Sequence, residues 1–377
     1  MTPRIASLLF TLTIALYTAE SIVFVFYAEV AFNESIFINH ARQLLADGFR
    51  DIFSHPAYSI LLAGWFLLLG KSLVAARILS LLITIISIHR VYKIGCSLAD
   101  DSISGAGLCI SFLLFPAIVY TLSAATPHAL TVLLFVTALS IATHQPSKAC
   151  QEICWRPFAF GLTVVVVSTI HPLGLPGAVG LIGIYFYFHS KRDLKQLLLL
   201  CLVLLILGSL FIVSYSAWPK LPADENMAAS GFYNFIAAII FPYAMLWIGL
   251  VLGVVATFSA SLRMVMPHYS IALARLCLAC FCALLIFLAW RERWEPAQLT
   301  IGLVGTFPFA IIAVLPMVVW IRKCMPKIRS MIVWIIIPVV MYICFWAVLG
   351  PIGPDVFPLN RLNFSYLSGG GGLVSGR

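Results

Sequence analysis

Between Tyr27 and Lys71 the chain gathers Glu29, Glu34, Asp47 and Asp51, with His40, Arg42, Arg50 and His55 among them. Carboxylates and imidazoles take and give protons, and guanidinium groups grip phosphate or carboxylate through paired hydrogen bonds. That mixture suits general acid–base work on an anionic substrate. Its setting is unusual, because 62% of the residues are hydrophobic and only 10% are charged. Mean hydropathy is +1.05. A soluble domain carries about 25% charged residues, so the cluster belongs to a loop beside a membrane.

The elements that must position this loop are apolar spans. Runs of about 18 residues or more recur along the whole chain, which predicts an all-α, polytopic membrane protein. The first span covers Ala6–Phe26, preceded by Arg4 and followed by no small-residue cleavage site, so it reads as a retained helix with a cytoplasmic N-terminus. Glu34–Ala46 follows with helical periodicity and a stop at Gly48, which suits a helix lying in the interface. Tyr58–Gly70 is apolar but reaches only about 20 Å, short of a roughly 30 Å hydrocarbon core. It is expected to stay on the outer side. The second span, Ser72–Ile88, then runs inward to the basic cluster at 89–93.

Alternation places further spans at Ile103–Tyr120, Thr131–Thr143, Phe158–Ile170, Pro172–Phe188 and Leu197–Ser216. Phe235–Ala260, Ile271–Trp290, Ile301–Ile321 and Ser330–Leu349 complete about eleven transmembrane helices, with interfacial helices in the first outer loop. Residues 1–367 form one domain, residues 27–71 its candidate catalytic loop, and the Gly-rich tail at 368–377 reads as a linker or cloning remnant.

The formal charge of +9 does not point to nucleic acid. Lys and Arg fall in short clusters between spans, mostly on the side that alternation makes cytoplasmic, as the positive-inside rule requires. The ten cysteines fall in spans or on that same side, so no disulfide framework is expected. His144 with Cys150 and Cys154 has weak metal-site spacing, and no metal or other cofactor is indicated.

The order of motifs in residues 1–190 resembles the GT-C glycosyltransferases, in particular the branch of aminoarabinose transferases and protein O-mannosyltransferases. The first outer loop of that family opens with Asp-Glu, an aromatic three residues after the Glu, and Ala-Arg. Here the register reads Asn33-Glu34, Phe37 and Ala41-Arg42. Gly48, His55-Pro56-Ala57-Tyr58, Gly70 and Ala75-Ala76-Arg77 continue it. Phe115-Pro116 through Leu130 and Gly161 through Gly174 resemble the family's third-span exit and fifth-to-sixth hairpin. Two positions depart from the pattern. Asn33 stands where the family's presumed catalytic Asp does, and His128 stands where a second acid is usual.

The resemblance implies an integral membrane glycosyltransferase. Such an enzyme would move a sugar from a polyprenyl-phosphate carrier to a membrane-associated lipid, glycan or protein acceptor. It would work on the extracytoplasmic face of a bacterial inner membrane, with membrane lipids as its other partners. Asn cannot accept a proton as a base. Glu34 therefore becomes the candidate base, with Asn33 and His128 beside it and the alternative that Glu34 only caps a helix. His55, Tyr58, Arg42 and His171 are motif or hairpin positions expected near substrate. Lys220, Arg291 and Arg361 are candidates for steadying the leaving phosphate, or snorkelling interfacial residues. Two other readings stay open. One is a catalytically inactive relative acting as a binding or assembly subunit; the other is a lipid-linked sugar flippase or transporter.

Overall fold

In the computed structural model the described residues are 2–27, 32–47, 56–113, 121–143, 155–170, 174–189, 244–291 and 296–324. Among them the regular structure is helical throughout. The helices are α1 (Thr2–Tyr27), α2 (Phe32–Asp47), α3 (Pro56–Leu69), α4 (Leu73–Ala99), α5 (Ser102–Leu113) and α6 (His128–Thr143). They continue with α7 (Trp155–Ile170), α8 (Gly174–His189), α9 (Ala244–Phe258), α10 (Ala260–Val265), α11 (His268–Arg291) and α12 (Pro296–Cys324). The predicted spans Leu197–Ser216 and Ser330–Leu349 lie outside the described residues.

Helix α1 explains the solvent this fold expects. Ala6, Leu9, Thr13, Tyr17, Ser21 and Val25 form its buried stripe, at the three- and four-residue spacing of one helix face. The opposite face shows Leu8, Leu12, Leu16, Ile22 and Phe26, with Leu8 65% exposed. Thr13, Tyr17 and Ser21 point inward while most of the large apolar side chains point outward, the reverse of a water-soluble helix. Similar apolar exposure recurs at Phe158 and Leu162 on α7, Val251 and Val255 on α9, and Ile286 on α11. Such surface is stable against hydrocarbon, where backbone groups must be satisfied within the helix. By length and composition, two described helical segments suffice to cross a membrane, Leu73–Ala99 and His268–Phe287.

Helix α4 is the axis of the bundle and packs against α1, α3, α5 and α6. Ser72 caps it, accepting the Ala75 N–H at 3.0 Å. It runs for 27 residues and ends at Asp100 in the left-handed conformation, φ 49°. The predicted span ended at Ile88 with the basic cluster in a loop; instead His89, Arg90 and Lys93 are helical. Val91, Ile94, Gly95 and Leu98 continue the buried face beneath them, so packing carries the helix onward. At the α4–α5 crossing a Cβ on Gly105 would stand 2.9 Å from the Tyr92 carbonyl oxygen, so only glycine fits. Helix α12 contains Pro308 and Pro316 and still runs for 29 residues.

Side-chain contacts identify the two ends of the bundle. At one, the α1 residues Tyr17, Ser21 and Val25 meet the start of α4 and the segment 121–127, a helical end at 121–123 followed by a turn. At the other, Phe10 packs on His89 and Tyr92, with centroid distances of 5.7 and 4.6 Å. There Ser270 of α11 also donates to the Leu98 carbonyl at 2.8 Å, and Arg322 of α12 approaches Asp101 at 3.5 Å. The chain therefore leaves α1 and enters α4 at the same end. Helix α3 lies antiparallel along the first turns of α4. Its Tyr58 hydroxyl is 3.5 Å from Ser80, and its Trp65 donates to the Ala75 carbonyl at 2.8 Å. A glycine with φ +88°, Gly70, closes it.

Candidate functional site

The site begins with a charge that the sequence places beside the membrane. Glu34 is the third residue of α2, and α2 starts two residues earlier than the periodicity predicted. Its side chain is fully buried, as is that of Arg77 in the second turn of α4. Arg77 Nε donates to Glu34 Oε1 at 2.9 Å and Nη2 donates to Oε2 at 2.7 Å. This is a planar, two-bonded pairing of guanidinium with carboxylate. Arg77 Nη1 also approaches the Val25 carbonyl at the end of α1, at 3.4 Å. The backbone N–H of Ala125 donates to Glu34 Oε1 at 2.8 Å. One ion pair thus holds together α1, α2, α4 and the turn that precedes α6.

That turn is fixed from three sides. Ser123 Oγ donates to Ser21 Oγ at 2.8 Å, and the Tyr17 hydroxyl lies 3.4 Å from Ser123. The Leu122 carbonyl accepts from Thr84 Oγ1 at 3.5 Å, and Ala125 is bound to Glu34. Within the turn, Thr126 N–H folds back onto the Ala124 carbonyl at 2.8 Å. His128 heads α6 and is 7% exposed. The Glu34 contact at Ala125 therefore lies three residues ahead of His128.

Glu34 does not hold the posture expected of a general base. Both its oxygens are engaged by a guanidinium and a backbone amide, and no solvent-exposed surface remains for an acceptor hydroxyl to approach. Removing a charge from water is costly unless it is paired and hydrogen-bonded, and Glu34 is both. In this arrangement it ties α2 to α4 and to the turn before α6. Tyr58 is likewise core and not an open substrate contact. It is fully buried, stacks edge-on with Phe37 at 5.6 Å, and directs its hydroxyl to Ser80. Burial pushes its phenol well above the ordinary range, and the charge of Glu34 adds to the shift.

Arg42 is exposed and spends one donor on the Lys71 carbonyl, 2.8 Å away, which ties α2 to the return of the chain. His40, on the same helix, is partly buried, and burial lowers its pKa. Asn33 lies in the first turn of α2, and Arg291 closes α11. His55, His171, Lys220 and Arg361 lie outside the described residues. The structure thus brings Glu34 and the turn bearing His128 together. It joins them to Arg77, which stands out in the sequence only as a motif position. The signal was present: an arginine in the second turn of an apolar helix requires a partner. The inward hydroxyls Thr13, Tyr17 and Ser21 were also missed, although their four-residue spacing marks one helix face. Among the described residues no group of three or more His, Cys, Asp or Glu is placed to hold a metal ion.

No protein-family model matches the chain, and no curated protein matches it. Among solved structures it is similar to ArnT from Cupriavidus metallidurans, in the crystal structure bound to undecaprenyl phosphate. That likeness has a TM-score of 0.42 at 14% identity and covers 83% of this chain and 78% of that one.

Proposed function

We propose that the protein is an integral membrane glycosyltransferase. It takes a sugar from a polyprenyl-phosphate carrier and passes it to a membrane-associated lipid, glycan or protein acceptor. The reaction belongs to the Glu34 end of the bundle, facing outward from a bacterial inner membrane. The observation that carries this reading is the buried Glu34–Arg77 pair. It joins, across 43 residues of chain, two positions at which the sequence resembles GT-C enzymes. The pair holds the loop against the ends of α1, α4 and α6 that meet there, which supports chemistry on a lipid-borne substrate.

In the transfer, the acceptor oxygen attacks the anomeric carbon while the sugar–phosphate bond breaks and the phosphate leaves with the electron pair. The acceptor proton needs a base. With Glu34 engaged, His128 at the end of the tethered turn is assigned that role, and Glu34 and Arg77 position it. The sugar, the acceptor and the phosphate clamp are left unassigned.

A second reading, a catalytically inactive binding or assembly subunit, is favoured by two facts together. Glu34 is fully committed, and Asn33 stands where the resemblance implies a catalytic Asp. Purified protein, radiolabelled polyprenyl-phosphate sugars and membrane lipid acceptors separate the two. The glycosyltransferase reading expects turnover that falls about a hundredfold or more in His128→Gln. It also expects a gain in Asn33→Asp. Full turnover in His128→Gln would remove the proton-transfer role. Absence of turnover with every donor, combined with co-purification of another glycosyltransferase, would establish the assembly reading instead.

A further inference from the structure

We propose that Thr126, together with the first-turn amides of α6, binds a phosphate oxygen of a polyprenyl-phosphate headgroup. Thr126 is 5% exposed, and among the described residues its Oγ1 has no hydrogen-bond partner. A buried, unsatisfied hydroxyl is costly, so such a group in a rigid turn calls for a ligand. Here the turn is rigid by construction. Ser123 is bound to Ser21, Ala125 to Glu34 and Leu122 to Thr84, while Thr131 Oγ1 is occupied by the Pro127 carbonyl at 2.9 Å. The hydroxyl of Thr126 is the one these tethers leave over.

The adjoining helix end supplies a second and independent reason. Pro127 stands at the N-cap of α6, and its carbonyl accepts the Thr131 N–H at 2.9 Å. Proline offers neither a capping side chain nor an N–H. Among the described residues, no backbone bond of the turn engages the N–H groups of Ala129 and Leu130, which a helix start leaves without an intrahelical partner. Ala129 is buried and Leu130 is partly exposed. A 16-residue helix directs the positive end of its dipole to this point. The carboxylate that meets the turn, Glu34, already has its charge matched by Arg77, so it does not repel an incoming anion. Two amides and a hydroxyl at the positive end of a helix dipole favour phosphate oxygen. The choice of a lipid-borne phosphate rests on the function proposed above.

The test measures binding, so its outcome is separate from turnover. Detergent-purified protein is equilibrated with radiolabelled farnesyl phosphate, with farnesol and inorganic phosphate as competitors. Thr126→Val keeps the shape and removes the hydroxyl; it is expected to weaken farnesyl phosphate about tenfold. Its apo melting temperature should stay the same or rise, because an unused buried hydroxyl has been removed. Thr126→Ser should bind within about threefold of wild type. Displacement by millimolar inorganic phosphate would indicate a site for phosphate in general, and lack of displacement a site that also needs the lipid; both support the proposal. Equal affinity of wild type and Thr126→Val, competition by farnesol as strong as by farnesyl phosphate, or no binding to wild type would each overturn it. Binding with the expected variant pattern but no sugar transfer would leave the phosphate site standing and remove the enzyme.

Discussion

Each end of the bundle has an Arg–carboxylate pair, and the two differ in burial. Glu34 and Arg77 are 0% exposed, in double contact at 2.7 and 2.9 Å. Asp101 and Arg322 are 25% and 14% exposed, at 3.5 Å through a single atom pair. Asp101 also caps α5, accepting the N–H groups of Ile103 and Ser104 and the Ser104 hydroxyl. Arg322 is added to a carboxylate that is already employed. Glu34, by contrast, is an anion removed from water whose stability depends on Arg77. Identical chemistry therefore carries different weight, and only the buried pair determines where a loop sits.

The comparison breaks most visibly if one buried charge is removed. Arg77→Met leaves Glu34 uncompensated, and unfolding in mixed micelles should lose about 3–5 kcal/mol, with the proposed sugar transfer lost as well. Adding Glu34→Met to it should restore much of the stability but none of the transfer. A single variant as stable as wild type would show that the pair does not hold the loop. At the other end, Arg322→Gln should cost less than about 1 kcal/mol, and the difference should shrink further in about 0.5 M salt. A loss comparable to that of Arg77→Met would erase the distinction between the two ends.

The smallest effect concerns pH. Burial lowers the pKa of His40, so the folded chain binds its proton less readily than the unfolded chain. The stability associated with neutral His40 is complete above the ordinary value of about 6.5. It declines as pH falls from there through the lowered folded value. His40→Gln should flatten the slope of melting temperature between about pH 6.5 and 5. An unchanged slope would assign the pH response to another group.

Much of the architecture near the site could be read from sequence. Glu34–Ala46 and Tyr58–Gly70 appear as α2 and α3 with boundaries shifted by one or two residues, because Gly48, Pro56 and Gly70 punctuate the chain locally. Helix α4 exceeded its predicted end because hydropathy registers charge at His89 and Arg90. It does not register the buried Val91, Ile94 and Leu98 on the opposite face. The role of Glu34 was harder to read. Its position in a motif was visible, but whether a carboxylate is a base or a clamp depends on its neighbours. Those neighbours, Arg77 and Ala125, are brought to it only by helix packing. The Thr13–Tyr17–Ser21 face was legible in principle, since hydroxyls every fourth residue in an apolar helix indicate which side meets other helices.

The separation of Glu34 from its partners also sets an order for biosynthesis. Arg77 follows it by 43 residues and Ala125 by 91. At about 5–20 residues per second, ribosomal synthesis exposes the carboxylate for roughly 5–18 s before both partners exist. Until then Glu34 must keep its water shell, because a buried carboxylate without partners is costly. Insertion of α4 would close the ion pair, and delivery of the turn before α6 would complete it. The folding of the loop is thereby timed by the arrival of later helices.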